Sequence, residues 1–126
     1  MARRLRDETV IWLTTVGTDG TPQPNPVWFL WEDPATLLIY NRTDARRLAH
    51  IGHRPRVALH FNHEQGGDVV VLTGTARVVE RPLAHEQPAY LAKYEARAIR
   101  VGGSPAEFAA QYPVALEIAV ERIRGF

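Results

Sequence analysis

Cysteine is absent from this 126-residue chain, which excludes disulfides, thiolate metal sites and thiol nucleophiles at once. Serine is nearly absent too. Ser104 stands alone, and its setting, Ser104-Pro105-Ala106-Glu107, reads as a capping box with proline in the first helical turn. A serine-nucleophile hydrolase is therefore not expected. No run approaches the ~18 apolar residues of a membrane span. The charged opening Met1-Ala2-Arg3-Arg4-Leu5-Arg6-Asp7 has no apolar stretch behind it, so a secretory signal is not expected and a soluble cytoplasmic protein is. An excess of either charge is also missing. Fifteen Lys and Arg face fourteen Asp and Glu, a net charge of +1, which gives no global reason to expect nucleic acid. Repeats, low-complexity stretches and internal linkers are lacking as well.

What is present is a globular balance, 45% hydrophobic and 23% charged, on a chain sized for one domain spanning residues 1–126. A chain this small buries a modest core, and dimerisation is a natural way to bury more. Residues 8–16 are rich in β-branched side chains and read as a strand. Asp19-Gly20 follows as a hairpin turn, leading to a second strand over residues 23–31. Pro24 and Pro26 cannot donate ladder hydrogen bonds, so that strand starts as an edge or an opening in the sheet. Glu32-Asp33-Pro34 turns the chain into a third strand, residues 36–41. Asp44 reads as the N-cap of a short helix over 45–53, which Pro55 ends. Strands are expected over 56–62 and 68–80, with a polar loop at Gly66-Gly67 between them and a bulge or kink at Gly74. A long helix is expected over 82–100, stopped by Gly102-Gly103, then a short helix opened by Ser104 and a last strand over 114–123. Six strands in hairpins without βαβ alternation point to a mainly β, α+β chain: an antiparallel barrel with helices at its ends.

The densest charge cluster is Arg42, Arg46, Arg47, Arg54 and Arg56, with His50 and His53 among them and only Asp44 opposing. Arg46 and Arg47 fall in the first turn of the expected helix, where free N–H groups and guanidinium groups together suit a phosphate. A solvated helix face is the plain alternative. A nucleic-acid surface would want a wider basic face interleaved with aromatics, and the aromatics lie elsewhere in the sequence. The histidine pairs His50/His53 and His60/His63 lack a carboxylate at ligand spacing, so no metal is expected. The carboxylates are scattered, and no catalytic acid or base can be named. Trp12, Trp28 and Trp31, taken singly, read as core.

The order of motifs resembles a known family. Trp12-Leu13-Thr14-Thr15-Val16-Gly17-Thr18-Asp19-Gly20-Thr21-Pro22, then Pro26-Val27-Trp28-Phe29, is similar to the pyridoxamine 5′-phosphate oxidase-like split-barrel superfamily. Within it, the likeness is to the actinobacterial branch of deazaflavin (coenzyme F-420) dependent oxidoreductases. Ile39-Tyr40-Asn41, Arg46-Arg47-Leu48, Pro55-Arg56-Val57-Ala58-Leu59, the run 67–76 and the ending Arg122-Ile123-Arg124-Gly125-Phe126 carry the resemblance along nearly the whole chain. It implies a six-stranded split β-barrel, a homodimer and two cofactor sites at the dimer interface. By resemblance, Pro24, Asn25, Pro26, Val27 and Trp28 border the flavin-type ring, Tyr40 and Asn41 end a strand beside the phosphate, and Arg46 and Arg47 hold that phosphate. Arg47 replaces a common lysine, Ala49 stands where many relatives have a second basic residue, and Glu117 stands where relatives often carry arginine. The implied function is an F-420-dependent reductase acting on a small organic substrate. The alternatives are an FMN-binding pyridoxamine 5′-phosphate oxidase-like enzyme and a non-catalytic flavin- or haem-binding module on the same fold.

Overall fold

A computed structural model describes residues 2–62 and 68–125; the expected Gly66-Gly67 loop, His63 and Phe126 lie outside the described residues. Every strand pairing is antiparallel, and seven strands form one sheet in the order β2-β1-β5-β6-β7-β4-β3, curled into the expected split barrel. The strands are β1 (Ile11–Val16), β2 (Pro22–Val27), β3 (Leu30–Glu32), β4 (Thr36–Asn41), β5 (Arg56–His60), β6 (Val70–Val79) and β7 (Val114–Gly125). Among the described residues four α-helices accompany them: α1 (Ala2–Asp7), α2 (Arg46–His53), α3 (Pro88–Gly102) and α4 (Pro105–Gln111). None of these is long and apolar enough to cross a membrane.

The seventh strand arises because the expected strand over 23–31 breaks at Trp28-Phe29 into β2 and β3. Helix α3 takes the hydrogen bonds that a strand neighbour would otherwise receive. The Tyr94 hydroxyl accepts from the Phe29 N–H at 2.9 Å and lies 2.8 Å from the Phe29 carbonyl, and Lys93 Nζ donates to that carbonyl at 3.0 Å. Lys93 also sits 3.8 Å from the centroid of the Phe29 ring, a cation–π contact, and burial pushes its pKa down to about 8. Two side chains adjacent on one helix thus hold the break that aims Trp28 away from the sheet.

Other boundaries shift for local reasons. The opening strand starts at Ile11, not residue 8, and just ahead of it lies helix α1. Its Arg4 is only 9% exposed, donating to Asn62 O at 2.5 Å and Asp68 O at 2.7 Å while lying over the Phe61 ring. The long helix starts at Pro88, not residue 82, because proline lacks an N–H and fits only a first turn; a 3-10 turn, Ala84–Glu86, precedes it. Ser104 caps α4 as expected, its Oγ accepting from the Glu107 N–H at 3.1 Å. Asp44 does not cap α2. The cap position is Ala45, with no side-chain hydrogen bond, so Asp44 stands one residue too early. Strand β7 runs on to Gly125, paired with Val70, and the expected bulge lies between Thr73 and Gly74, which pair with Arg122 and Val120.

Strand β4 is buried on both faces, with every residue from Leu37 to Asn41 inside. Its alternating side chains feed two cores. Leu37 and Ile39 join Phe29, Leu59, Leu72 and Leu116 in the barrel. Leu38 and Tyr40 join Tyr90, Tyr94 and Phe108 beneath α3 and α4. At the margin of this second core, Arg81 pairs bidentately with Glu32 at 2.6 and 2.7 Å and reaches Glu117 at 3.3 Å. That bonding lowers the Glu32 pKa, and it gives Glu117 a structural partner.

Candidate functional site

Edge strand β2 forms one wall. Pro22, Pro24 and Pro26 lie opposite Val16, Thr14 and Trp12 of β1. Their even spacing leaves Gln23, Asn25 and Val27 to donate to β1, because a ladder cannot use absent N–H groups. The open side of β2 therefore shows proline carbonyls and no donors. Such an edge resists pairing with a stray strand, while its carbonyls can accept a hydrogen bond from an N–H group.

Two clefts lie beside this wall and meet at Arg47. The first, about 270 Å³, is aromatic. Pro26, Val27 and Trp28 line one side, Tyr40 the floor, and Tyr90, Phe108 and Tyr112 the helical side. Its rings are stacked in series. Trp28 lies 5.0 Å from Tyr94 and 5.2 Å from Phe108, and Phe108 lies 4.7 Å from Tyr112. Burial raises the pKa of Tyr40, whose hydroxyl donates to Pro82 O at 2.5 Å, and of Tyr90, so both phenols are neutral.

The second cleft, about 360 Å³, is polar, lined by Gln23 and Asn25 of β2, Ala45 at the start of α2, and Arg46, Arg47 and His50 of that helix. Among the described residues no carboxylate lines it. The missing cap at Ala45 leaves the first-turn N–H groups of α2 without a side-chain partner, at the positive end of the helix. Among the described residues no cluster of three His, Asp or Glu side chains could hold a metal ion.

Arg47 is half-buried, and desolvation lowers its pKa, although an arginine keeps its charge under such conditions. Its Nε donates to Asn41 Oδ1 at 2.6 Å. Asn41 is 0% exposed and spends its Nδ2 on the carbonyls of Ile39 and Val114, both at 3.1 Å. Asn41 therefore serves the site by fixing the guanidinium, with its own amide committed to the sheet. Arg42 lies over the Tyr112 ring at 4.8 Å, and Arg46 is exposed at the cleft mouth.

The structure thus brings together all nine residues singled out in sequence except Pro24, which sits on the β2 edge without lining either cleft, and Asn41, which backs Arg47. Sequence reading missed the helical wall. Tyr90 and Tyr94 were visible at helical spacing, and Phe108 and Tyr112 repeat the same i, i+4 interval, a signal that went unused. The other two tryptophans stand apart from the clefts. Trp31 packs against the barrel core, and Trp12 stacks on His60 at 6.3 Å on the outer sheet face.

A family model described as pyridoxamine 5′-phosphate oxidase matches residues 1–126. Over 60 residues the chain is 33% identical to the pyridoxine/pyridoxamine 5′-phosphate oxidase of Sodalis glossinidius (strain morsitans), a match covering 48% of this chain and only 28% of that relative. Among solved structures, an F420 reductase superposes with a TM-score of 0.72 at 21% identity, covering 97% of this chain and 94% of that one. HupZ of Group A Streptococcus gives 0.70 at 19%, covering 98% and 90%. The haem storage protein HutZ of Vibrio cholerae gives 0.67 at 16%, covering 98% and 91%. At such identities these structures share the fold.

Proposed function

The chain belongs to the pyridoxamine 5′-phosphate oxidase family, and from that premise we propose that the two clefts meeting at Arg47 hold a phosphate-bearing flavin-type cofactor for redox chemistry. The cofactor favoured is coenzyme F-420, the alternative FMN. The observation that carries this reading is the junction itself: an anion-adapted cleft without carboxylates opens onto an aromatic cleft, with one anchored guanidinium common to both. The donor set suits the group. Arg46 and Arg47 offer planar forks for a phosphate, the β2 carbonyl edge suits a ring N–H, and the stacked aromatic wall suits a flat ring system.

When bound, such a cofactor supplies the hydride chemistry. The chain's own residues position it, neutralise its phosphate and keep water from the ring through Trp28, Phe108 and Tyr112. Among the described residues no paired acid and base lines the clefts, which agrees with that division. The preference for F-420 rests on the sequence resemblance and receives support from the fold shared with an F420 reductase. FMN is supported by the oxidase relative.

Fluorescence titration with FMN and with F-420 tests the reading. Arg47→Ala is expected to weaken binding roughly tenfold to a hundredfold, the effect of about 1.5–3 kcal/mol for a lost charge-assisted contact. Arg46→Ala acts in the same direction, Arg47→Lys costs less, and Arg77→Ala, an exposed partner of Glu117, leaves affinity unchanged. Parent-like affinity in both alanine variants for both cofactors refutes the placement. A haem absorption band in the protein as purified refutes the flavin-type reading.

We also propose that the working form is a homodimer. The outer face of β1, β5 and β6 is half-exposed and carries Trp12, Val16 and Val71, and Val78 at the far end of β6 is 55% exposed. Sedimentation at micromolar concentration is expected to show a dimer; a stable monomer removes this part of the proposal.

A further inference from the structure

Among the described residues His50 is the one imidazole in the polar cleft, and neither sequence motif nor family resemblance gave it a role. It lies three and four residues beyond Arg47 and Arg46, so all three share one face of α2. Its Nδ1 is 3.0 Å from the hydroxyl of Thr15, a side chain only 1% exposed. A buried hydroxyl must place its proton, and Nδ1 is its partner there. In the neutral tautomer that accepts at Nδ1, Thr15 donates and the ring proton sits on Nε2; in the charged ring Thr15 accepts and Nε2 carries a proton. In both of these forms Nε2 is a donor. Among the described residues it has no hydrogen-bond partner.

The neighbouring backbone keeps that nitrogen uncovered. A Cβ at residue 17 would lie 3.6 Å from Nε2, and Gly17 has none. Gly17 is not among the residues with positive φ, so its backbone does not demand glycine. The groups around His50 are cationic or neutral, apart from one carboxylate, Asp19. Arg46 and Arg47 flank it on α2 and Arg54 follows that helix. Gln23 and Asn25 of β2 are neutral, β1 presents the Thr15 hydroxyl, and the inward residues of β6 (Val70, Leu72, Gly74, Ala76) carry no charge. The nearby carboxylate, Asp19, accepts the Thr21 N–H at 3.0 Å within its own turn.

We propose that His50 is a third donor to the phosphate held by Arg46 and Arg47, and that its protonation strengthens that grip as pH falls. This rests on the phosphate cleft proposed above. Binding of a dianion and protonation of an adjacent imidazole favour each other by linkage. The phosphate's own protonation acts equally on a variant lacking the imidazole, so the comparison between parent and variant isolates His50.

The test is calorimetric titration with inorganic phosphate, the smallest probe of the cleft, for the parent, His50→Gln and Arg47→Ala at pH 8 and pH 6. His50→Gln is expected to bind phosphate about threefold more weakly than the parent at pH 8 and about tenfold more weakly at pH 6. The widening of that ratio is what a merely structural role does not produce. A constant ratio overturns the protonation effect. Equal affinity of parent and His50→Gln at both pH values, with Arg47→Ala weakened, overturns the role of His50 while the phosphate cleft stands. No weakening in Arg47→Ala, or no phosphate binding by the parent, overturns the cleft and this inference with it.

Discussion

Gly74→Ala is expected to lower the unfolding free energy by about 3–4 kcal/mol, near the upper end of single-substitution effects. At this position a Cβ would lie 2.1 Å from the Ala119 carbonyl oxygen and 3.1 Å from the Val120 Cα. Both are backbone atoms of β7, held by a pairing that runs from Val70 to Val79, so neither can rotate aside. Relief requires the two longest strands to part where the bulge brings them together, in a packed interior that does not yield gradually. Gly20→Ala is the matched control. Gly20 has φ +85° but nothing within 4 Å of the added carbon, so it incurs backbone strain of about 1 kcal/mol without a collision. Urea denaturation of the three proteins checks this. Equal midpoints for the two variants contradict a collision between β6 and β7.

Asn41→Ala is expected to cost about 2–4 kcal/mol of stability and, separately, about tenfold in affinity for a phosphate-bearing flavin. Three hydrogen bonds are lost from a side chain that is 0% exposed: one to the Ile39 carbonyl within β4, one to the Val114 carbonyl that joins β4 to β7, and one from Arg47. Removing one member of a buried polar set leaves the others desolvated and unpaired, which costs more than the bonds return when formed. Arg47 also loses the acceptor that fixes its guanidinium at the junction of the clefts. Arg47→Ala is expected to show the opposite balance, a large loss of affinity with a smaller loss of stability. Urea denaturation and FMN titration on both variants separate the two effects. Undiminished FMN affinity in Asn41→Ala shows that Arg47 holds its position without Asn41.

The two variants illustrate how the fold serves the clefts. Strand β4 sends alternate side chains into two cores, so Tyr40 floors the aromatic cleft while the next residue turns toward α2 and grips Arg47. On the other side, Lys93 and Tyr94 hold the Trp28-Phe29 break by its backbone, and Trp28 is thereby stacked between Tyr94 and Phe108. Neither cleft belongs to a single element, and their meeting point depends on the docking of α2 against the sheet.

Sequence alone determined the features that depend on short-range chemistry. The Asp19-Gly20 hairpin, the proline edge, the bulge at Gly74, the Ser104 cap and the basic pair at Arg46 and Arg47 each follow from what one or two residue types permit to the backbone or present to solvent. The order of those signals also disclosed the barrel and the family. Tertiary structure decided whatever required groups distant along the chain to compete for the same atoms. Residues 23–31 have the composition of one strand, and they break because a tyrosine and a lysine some 65 residues away take the Phe29 N–H and carbonyl. Asn41 lies at a strand end in sequence, yet it is wholly buried because β7 covers it at Val114. His50 resembles any polar residue on a short helix until Thr15 of β1 takes one ring nitrogen and leaves the other facing the cleft. In each case the local code was consistent with several partners, and the partner was selected by packing energy summed over the whole barrel.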